Sequence, residues 1–271
     1  MNEAALCALA VRLAAEAAAV HRGGRGRELR VETKSSRTDV VSEIDREAER
    51  VLVAGILRER PDDAILGEEG GAHAGTSGVR WILDPLDGTT NYLYRYPAHA
   101  VSIGIEIDGE VRVGVVHDSV HDEVFTAIRG GGAYRDGAPI AASRCGDLAT
   151  ALLATGFQYR AEIRAEQAAT LARILPHVRD VRRGGSAALD LCWIADGRLD
   201  LYYEGGLAEW DFAAGALIAA EAGAVVKRFD DPSEGPVPLV VAAPAALADR
   251  FERLLREPSL GPGAQQVSSK F

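Results

Sequence analysis

Two carboxylates three residues apart, Asp84 and Asp87, mark the point where an apolar segment gives way to a polar turn. Residues 79–83 are apolar enough for a buried strand. Pro85 predicts that this strand ends near Asp84, because proline cannot donate a hydrogen bond within a central sheet. Gly88 and the polar residues after it predict the start of a short helix. Mg²⁺ prefers carboxylate and carbonyl oxygens, and phosphate binds at helix N-termini. The segment therefore predicts a cation site beside a phosphate-ester site.

Composition narrows the class of protein. The chain of 271 residues has 40 acidic and 30 basic residues and a net charge of −10. This balance argues against general nucleic-acid binding, which needs a basic face. The three cysteines are widely spaced, without a CxxC pair or a Cys/His cluster, so neither a zinc site nor a disulfide framework is indicated. The six histidines are scattered and are interpreted as structural or solvated.

The N-terminal segment predicts an amphipathic helix over 2–21 rather than a signal peptide, because charged residues interrupt it. No apolar stretch is expected to approach the roughly 18–20 residues that cross a bilayer. These patterns predict a soluble, reduced, cytoplasmic protein without a membrane partner.

Periodicity predicts different organisation in the two halves. In the first half, a capping box at Ser42 and Asp45 opens a helix that runs to about Arg60. A short buried strand is expected over 64–66. Strands over 101–107, 111–115 and 123–128 predict an antiparallel sheet. In the second half strands alternate with helices, which predicts helices flanking a sheet. The expected strands are 151–155, 179–183, 199–203 and 238–242, and the expected helices are 162–175, 186–196, 211–222 and 244–256.

We expect one domain over 1–257, with subdomains of about 1–145 and 146–257. Residues 258–271 are rich in Gly, Pro, Ser and Gln and are expected to be a disordered tail.

Acidic residues from distant parts of the chain are expected to meet. The four pieces are Glu68-Glu69 after a strand, Asp84 with Asp87, Asp211 at a helix start, and Lys34-Ser35-Ser36 leading to Asp45. Burying several carboxylates together without cations would cost several kcal/mol each. Metal binding is therefore expected to offset the cost of burying these carboxylates.

These residues carry a resemblance to the inositol monophosphatase family, extending from residue 3 to about 257. The matching segments are WILDPLDGTTNYLYRYP at 81–97, WDFAAGALIAAEAGA at 210–224, GEE at 67–69, the KSS…D element at 34–45, GSAALDLC at 185–192 and YYEGG at 202–206. The resemblance implies an α/β fold with αβαβα layers, as in sugar phosphatases. Its N-terminal half would be α+β with an antiparallel sheet, and its C-terminal half α/β.

The resemblance also implies a set of metal ligands. Glu68, Asp84 and the backbone carbonyl of Leu86 would hold one Mg²⁺, and Asp84, Asp87 and Asp211 a second. A third, weaker ion would lie near Glu68, which gives two to three ions for each active site. Li⁺ inhibition and a homodimer are expected on the same basis.

Further roles follow from the resemblance for residues around the metals. Glu68, Thr89 and Asp45 form the implied catalytic set, in which Glu68 and Thr89 activate a water that attacks phosphorus in line with the ester bond. The implied phosphate-binding residues are Gly88, Thr89 and Thr90. The implied substrate-binding residues are Gly185, Ser186, Ala187 and Glu204.

Several functions remain open at this stage. A Mg²⁺-dependent hydrolase of myo-inositol monophosphate and similar small polyol phosphates is favoured, with histidinol phosphate as the runner-up. The family also includes fructose-1,6-bisphosphate and 3′-phosphonucleotide phosphatases. A function of another class, binding to RNA polymerase, would use the Arg-rich 22–30 loop. Arg182 and Arg183 would either contact an extra phosphate or form salt bridges at an interface, and the interface is favoured.

Overall fold

The computed structural model describes residues 2–26, 31–33, 40–230 and 237–256. The helices are α1 (Glu3–Gly24), α2 (Glu43–Glu59), α3 (Thr89–Tyr94), α4 (Ala161–Ile174), α5 (Ala187–Ala195), α6 (Glu209–Glu221) and α7 (Ala248–Arg256), with short 3₁₀ helices at Leu148–Thr150 and Leu175–His177. The strands of the first half are β1 (Val31–Thr33), β2 (Val40–Ser42), β3 (Ala64–Gly67), β4 (Ala72–His73), β5 (Val79–Asp87), β6 (Ala100–Ile107), β7 (Glu110–Asp118), β8 (Glu123–Ile128), β9 (Ala133–Arg135) and β10 (Ala138–Pro139). Those of the second half are β11 (Leu152–Thr155), β12 (Asp180–Arg182), β13 (Leu201–Gly205), β14 (Ala224–Phe229) and β15 (Leu239–Pro244).

Two large sheets organise the described chain. The eight-stranded sheet has the order β10-β9-β8-β7-β6-β5-β3-β4 and the five-stranded sheet the order β12-β11-β13-β15-β14. The first is antiparallel except where β3 runs parallel to β5. In the second, β11 is parallel to β12 and β13, and β15 is antiparallel to its neighbours. The mixture confirms the expected α/β class.

Three hydrophobic cores fill the spaces between the layers. One joins α1 and α2 to the eight-stranded sheet, and a second places α5 and α6 between the two sheets. The third joins the other face of the five-stranded sheet to α7 and the end of α4. The resulting order is helix, sheet, helix, sheet, helix, which confirms the predicted αβαβα layering.

Helix α1 begins at an Asn2 cap, whose side chain accepts a hydrogen bond from Ala5 N at 3.2 Å. It is long and apolar enough to cross a membrane by length and composition, so the expectation that no stretch approaches this length is wrong. Its buried residues, including Leu6, Leu9 and Leu13, belong to the same core as α2 and the eight-stranded sheet. A core helix of the fold accounts for this composition.

Strand β5 continues past Pro85 to Asp87, which corrects the prediction that it ends near Asp84. Its ladder with β6 shifts register between Asp84 and Asp87, so Pro85 lies where the regular pairing is interrupted. The carbonyl of Pro85 instead accepts a hydrogen bond from His21 Nε2 at 2.9 Å. Burial lowers the pKa of His21 to about 3, so the ring is neutral. The proline is tolerated because its position needs no ladder donor.

Some elements differ from their predictions. Strand β14 was not predicted, although it pairs along its length with β15 at the edge of the five-stranded sheet. The short strands β1, β2, β4, β9 and β10 were also missed, since two or three residues carry little periodicity. The predicted tail 258–271 and the residues 34–36 lie outside the described residues. The subdomain boundary near 145 stays a prediction.

Helix α6 approaches the eight-stranded sheet closely over Gly114 of β7. A Cβ added at Gly114 would lie 2.7 Å from the carbonyl oxygen of Ala214 and 3.2 Å from its Cα. These are backbone atoms, which cannot rotate away. Because Asp211 lies on the same helix, this contact sets the distance between Asp211 and the sheet.

We predict that Gly114→Ala lowers the free energy of unfolding by about 1–3 kcal/mol, because the added methyl group overpacks the helix–sheet contact. Chemical denaturation monitored by circular dichroism measures the effect. Gly23→Ala is the control, since no atom of the described residues lies within 4 Å of a Cβ there. It should be neutral or slightly stabilising. Equal stabilities of the two variants would contradict this account of the packing.

Two buried aspartates outside the candidate site differ in how they are satisfied. Asp118 accepts hydrogen bonds from Val120 N, His121 N and His121 Nδ1. Among the described residues, neither carboxylate oxygen of Asp190 has a hydrogen-bond partner, although the residue is buried in α5. Burial, with smaller contributions from neighbouring acids, raises the pKa of Asp190 well above its ordinary value. The ionised form of Asp190 therefore costs stability.

We predict that Asp190→Asn weakens the pH dependence of stability. In the wild type, the free energy of unfolding should fall as the pH rises above the ordinary aspartate pKa, and the variant should lack part of that fall. The raised pKa means that the folded state binds the proton more tightly, so the free energy of unfolding falls with increasing pH. At pH 8 in chelator, the variant should be more stable than the wild type by about 1–3 kcal/mol. Asp118→Asn should instead destabilise the protein at pH 8, because it replaces the oxygen that accepts from His121 Nδ1. Identical pH slopes for wild type and Asp190→Asn would contradict the prediction.

Candidate active site

Distant segments of the chain meet around one cavity of about 330 Å³. Its described lining contains five carboxylates and one guanidinium. The residues are Glu68, Asp84, Leu86, Asp87, Gly88, Thr89, Phe157, Gln158, Tyr159, Arg183, Gly185, Ala187, Glu204, Gly206, Leu207, Ala208, Trp210 and Asp211. A larger cavity of about 730 Å³ lies near Tyr92 and His99, and the described part of its lining has no acidic residue. Of these two cavities, the smaller is the one with carboxylate ligands in its described lining.

Asp84 and Leu86 lie on the stretch of β5 where the ladder with β6 is irregular, and both line the cavity. Asp84 is 2% exposed, and its Oδ1 accepts a hydrogen bond from Leu86 N at 3.0 Å. Burial raises the pKa of Asp84 well above its ordinary value, and the charges of Glu68, Asp87 and Asp211 raise it further. Asp84 thus lies at the centre of the acidic group.

Asp87 is fixed by the start of α5. Its Oδ2 accepts hydrogen bonds from Ser186 Oγ at 2.6 Å and from Ala188 N at 2.7 Å. Burial raises the pKa of Asp87 to about 6, although these two hydrogen bonds oppose the rise. Ser186 was predicted to bind substrate, but it is not part of the described cavity lining. Its hydroxyl instead orients Asp87.

Asp211 lies in the first turn of α6, where its Oδ2 accepts a hydrogen bond from Ala208 N at 2.7 Å. The carboxylate therefore caps its own helix as well as lining the cavity. Burial raises the pKa of Asp211 well above its ordinary value, followed by the charges of Asp87 and Glu68.

The turn after β3 carries Glu68 and is held by a residue that the sequence analysis missed. The carboxylate of Glu49, on α2, accepts hydrogen bonds from Glu69 N and Gly71 N, both at 2.8 Å. Glu68 N itself donates to Leu83 O at 3.2 Å. A sequence signal existed, because Glu49 follows Asp45 by four residues and both acids lie on the buried face of α2.

Thr89 connects the cavity to α2. Its hydroxyl lies 2.7 Å from Asp45 Oδ1 and 3.2 Å from the carbonyl oxygen of Leu86, two acceptors for its one proton. Asp45 also forms the predicted capping box with Ser42, whose N–H donates to Asp45 Oδ2 at 2.9 Å. Burial raises the pKa of Asp45, against the hydrogen bonds from Ser42 and Thr89. The preceding 34–36 element lies outside the described residues.

The predicted phosphate-binding residues lie where α3 begins. Gly88 is the N-cap, in a left-handed conformation with φ of 95°. A Cβ at this position would lie 2.9 Å from Ala98 O, so the turn requires glycine. Thr89 lines the cavity, whereas Thr90 is exposed and is not part of the described lining.

The opposite end of the cavity is built from the second half of the chain. Glu204 lies at the end of β13, and its Oε2 accepts a hydrogen bond from Tyr202 OH at 3.0 Å. Burial raises the pKa of Glu204 to about 7, while the charge of Arg183 opposes the rise. Gly185 and Ala187 line the cavity as predicted.

The two arginines before α5 have different surroundings. Arg183 lines the cavity, whereas Arg182 Nη1 forms an ion pair with Asp180 Oδ2 at 2.7 Å. The favoured interpretation placed both at an interface. The structure brings Arg183 to the cavity instead, where it is the one cation among the described lining residues.

The donor set suits a hard divalent cation. Asp84, Asp87 and Asp211 supply only oxygen, and their mutual repulsion is relieved by positive charge. Among the described residues, no group of three His, Cys, Asp or Glu side chains has its ligand atoms close enough together to coordinate one metal ion.

Comparisons with known proteins agree with this geometry. A sequence model of the inositol monophosphatase family matches residues 2–258. The inositol-1-monophosphatase of Mycobacterium bovis is 46% identical over 270 residues, which cover 92% of this chain and 93% of that protein. The Nus factor SuhB of Escherichia coli is 44% identical over 193 residues, covering 70% of this chain and 72% of that protein.

A solved structure extends the likeness to the backbone. Inositol monophosphatase from Anabaena superposes with a TM-score of 0.82 at 35% identity, covering 96% of this chain and 99% of that chain. Both the sequence and the layered fold are thus similar over nearly the whole length. The chain belongs to the inositol monophosphatase family.

Proposed function

We propose that this phosphatase is a Mg²⁺-dependent phosphomonoester hydrolase that releases phosphate from myo-inositol monophosphate and related small polyol phosphates. The observation that carries the proposal is the convergence of Glu68, Asp84, Asp87 and Asp211 on one cavity. Their elements are separate in the chain, and burial and mutual repulsion raise the pKa values of the three aspartates. Such an arrangement is costly unless cations neutralise it.

The ligand assignments are those that the family resemblance implies for these residues. Glu68, Asp84 and the carbonyl oxygen of Leu86 would hold one Mg²⁺, and Asp84, Asp87 and Asp211 a second. A third ion would lie near Glu68. Bound Mg²⁺ would acidify a water and neutralise charge on the phosphate oxygens.

The chain's own groups would place the water and the ester. Thr89 Oγ accepts a proton from the attacking water and passes its own proton to Asp45, with which it already shares a 2.7 Å hydrogen bond. Glu68 orients the same water. The N–H groups of Gly88 and Thr89 bind the phosphate, because the first turn of a helix leaves its amides without carbonyl partners.

The displacement itself is in line. The oxygen of water forms a bond to phosphorus as the ester bond breaks, and the departing alcohol takes a proton from a water beside Asp211. Inorganic phosphate and the free alcohol are the products. Positioning and charge neutralisation suffice for this transfer, without covalent chemistry by the protein.

The end of the cavity lined by Glu204 and Arg183 favours a polyol phosphate as the substrate. Glu204 can accept hydrogen bonds from hydroxyl groups, and Arg183 is the one basic side chain in the described lining. A bisphosphate or a nucleotide would need more positive charge there, so these substrates are disfavoured. Histidinol phosphate remains the alternative substrate, because an acid such as Glu204 can also receive an amine. A cytoplasmic location, a homodimer and inhibition by Li⁺ belong to the same proposal.

We predict that Asp84→Asn and Asp211→Asn each lower kcat/KM for inositol 1-phosphate by more than about 100-fold, because each removes a charged metal ligand. Initial rates of phosphate release at saturating Mg²⁺ measure the loss, with circular dichroism to verify the fold. Asp136→Asn, in an exposed turn, is the matched control. Near wild-type rates in either site variant, or undiminished hydrolysis in excess chelator, would contradict the proposal.

We propose binding to a transcription partner such as RNA polymerase as the second candidate function. The Escherichia coli relative is named a Nus factor. In this chain, the loop at the end of α3 exposes Tyr94 by 82% and Tyr96 by 53%, with Arg95 between them. Exposed aromatic and arginine side chains are typical of interaction surfaces. The Arg-rich 22–30 loop gives less support to this second function. Arg22 forms an ion pair with Asp122, and residues 27–30 lie outside the described residues.

Binding and hydrolysis are separable by mutation. If the second function exists, Asp84→Asn should retain purified RNA polymerase in a pull-down while Tyr94→Ala with Tyr96→Ala should lose it and keep phosphatase activity. If the wild-type protein does not retain RNA polymerase, the second candidate function is contradicted and the phosphatase proposal is unaffected.

A further inference from the structure

Two walls of the cavity meet through glutamine side chains. The first wall is the loop 156–159 after β11, and the second is the segment 204–208, which begins in the last residues of β13. Gln158 Nε2 donates a hydrogen bond to Gly206 O at 2.6 Å, which joins the walls directly. Gln167, on α4, also connects the two walls, from a position outside the described cavity lining.

Gln167 makes one hydrogen bond to each wall. Its Oε1 accepts from Gln158 N at 2.8 Å, and its Nε2 donates to Gly205 O at 3.2 Å. The residue is not part of the described cavity lining, so it does not reach a bound substrate itself. It lies one turn after the buried Ile163, which directs this face of α4 towards the walls.

The walls approach so closely that the position of one sets the position of the other. A Cβ at Gly156 would lie 1.9 Å from Glu204 Oε1, and a Cβ at Gly206 would lie 2.3 Å from Gln158 Nε2. The carboxylate of Glu204 therefore rests directly on the backbone of the first wall. Any outward movement of 156–159 frees Glu204 to move.

We propose that Gln167 is a positioning residue that fixes Glu204 for recognition of the substrate's hydroxyl groups. The proposal rests on the polyol-phosphatase function proposed above. Gln167 satisfies a backbone donor of one wall and a backbone acceptor of the other with a single amide. An amide supplies both, whereas an ionised carboxylate at this position cannot donate to Gly205 O.

The test compares Gln167→Glu and Gln167→Ala with Glu166→Ala, a change at the adjacent exposed residue of α4. Kinetics are measured with inositol 1-phosphate and with 4-nitrophenyl phosphate, which has no hydroxyl for Glu204. Both Gln167 variants should raise KM for inositol 1-phosphate about 5- to 20-fold, since one or two hydrogen bonds are lost. The kcat values, and KM for 4-nitrophenyl phosphate, should stay within about twofold of wild type.

A double-mutant cycle tests the route through Glu204. In a Glu204→Gln background, Gln167→Glu should have little further effect on KM, because the two changes remove the same recognition. Independent, multiplying effects would overturn the proposal, as would Gln167 variants that behave like Glu166→Ala. Equal losses on both esters would also overturn it, since they would indicate general disturbance of the site.

Hydrogen–deuterium exchange separates this proposal from the proposed function. In Gln167→Glu, peptides containing 156–159 and 204–208 should exchange faster than in wild type, while β5 and α6 peptides stay unchanged. This readout does not depend on any substrate. Unchanged exchange at the two walls would overturn the role of Gln167, whereas wild-type failure to hydrolyse inositol 1-phosphate would overturn only the substrate.

Discussion

Repulsion among buried carboxylates is the constraint on which the rest of the structure depends. Asp84, Asp87 and Asp211 each have a pKa raised chiefly by burial, and the charges of neighbouring acids add to each rise. A protein that brings such groups together without a compensating cation loses stability. The fold must therefore hold them in place by other contacts until positive charge arrives.

Those contacts come from every layer around the cavity. Backbone amides fix one oxygen of Asp84, of Asp87 and of Asp211. Glu49 holds the turn that carries Glu68, and the close contact of Gly114 with Ala214 sets the depth of α6 against the sheet. The acids are thus attached to rigid elements, and the side-chain oxygens that remain are available for ligation. This arrangement is what a preorganised site requires.

The sequence predicted the parts of the site that depend on local patterns. Asp84 and Asp87 follow a strongly apolar segment, and Asp211 opens an Ala-rich helix, so both the residues and their elements were identified. The αβαβα layering followed from the family resemblance rather than from periodicity. Contacts between distant segments left no comparable pattern. The spacing of Glu49 from Asp45 indicates only a shared helix face, and Gln167 looks like an ordinary helical polar residue in the sequence. Ser186 gave no sign that it would bind Asp87 instead of lining the cavity.

One local prediction was wrong for a definite physical reason. Pro85 was expected to end β5, yet the strand continues because the ladder shifts register at that position and requires no N–H. The same stretch of β5 lines the cavity with Asp84, Leu86 and Asp87. A rule about proline in regular sheets therefore failed at the place where the sheet is irregular, which is also where the proposed metal ligands lie.

The most direct test of the central claim is anomalous diffraction from crystals grown with Mn²⁺ in place of Mg²⁺. The account predicts two peaks roughly 3.5–4 Å apart, with Asp84 ligating both ions and with Asp87 and Asp211 on one of them. Peaks located away from Asp84, or a cavity without bound Mn²⁺ at saturating concentration, would contradict it.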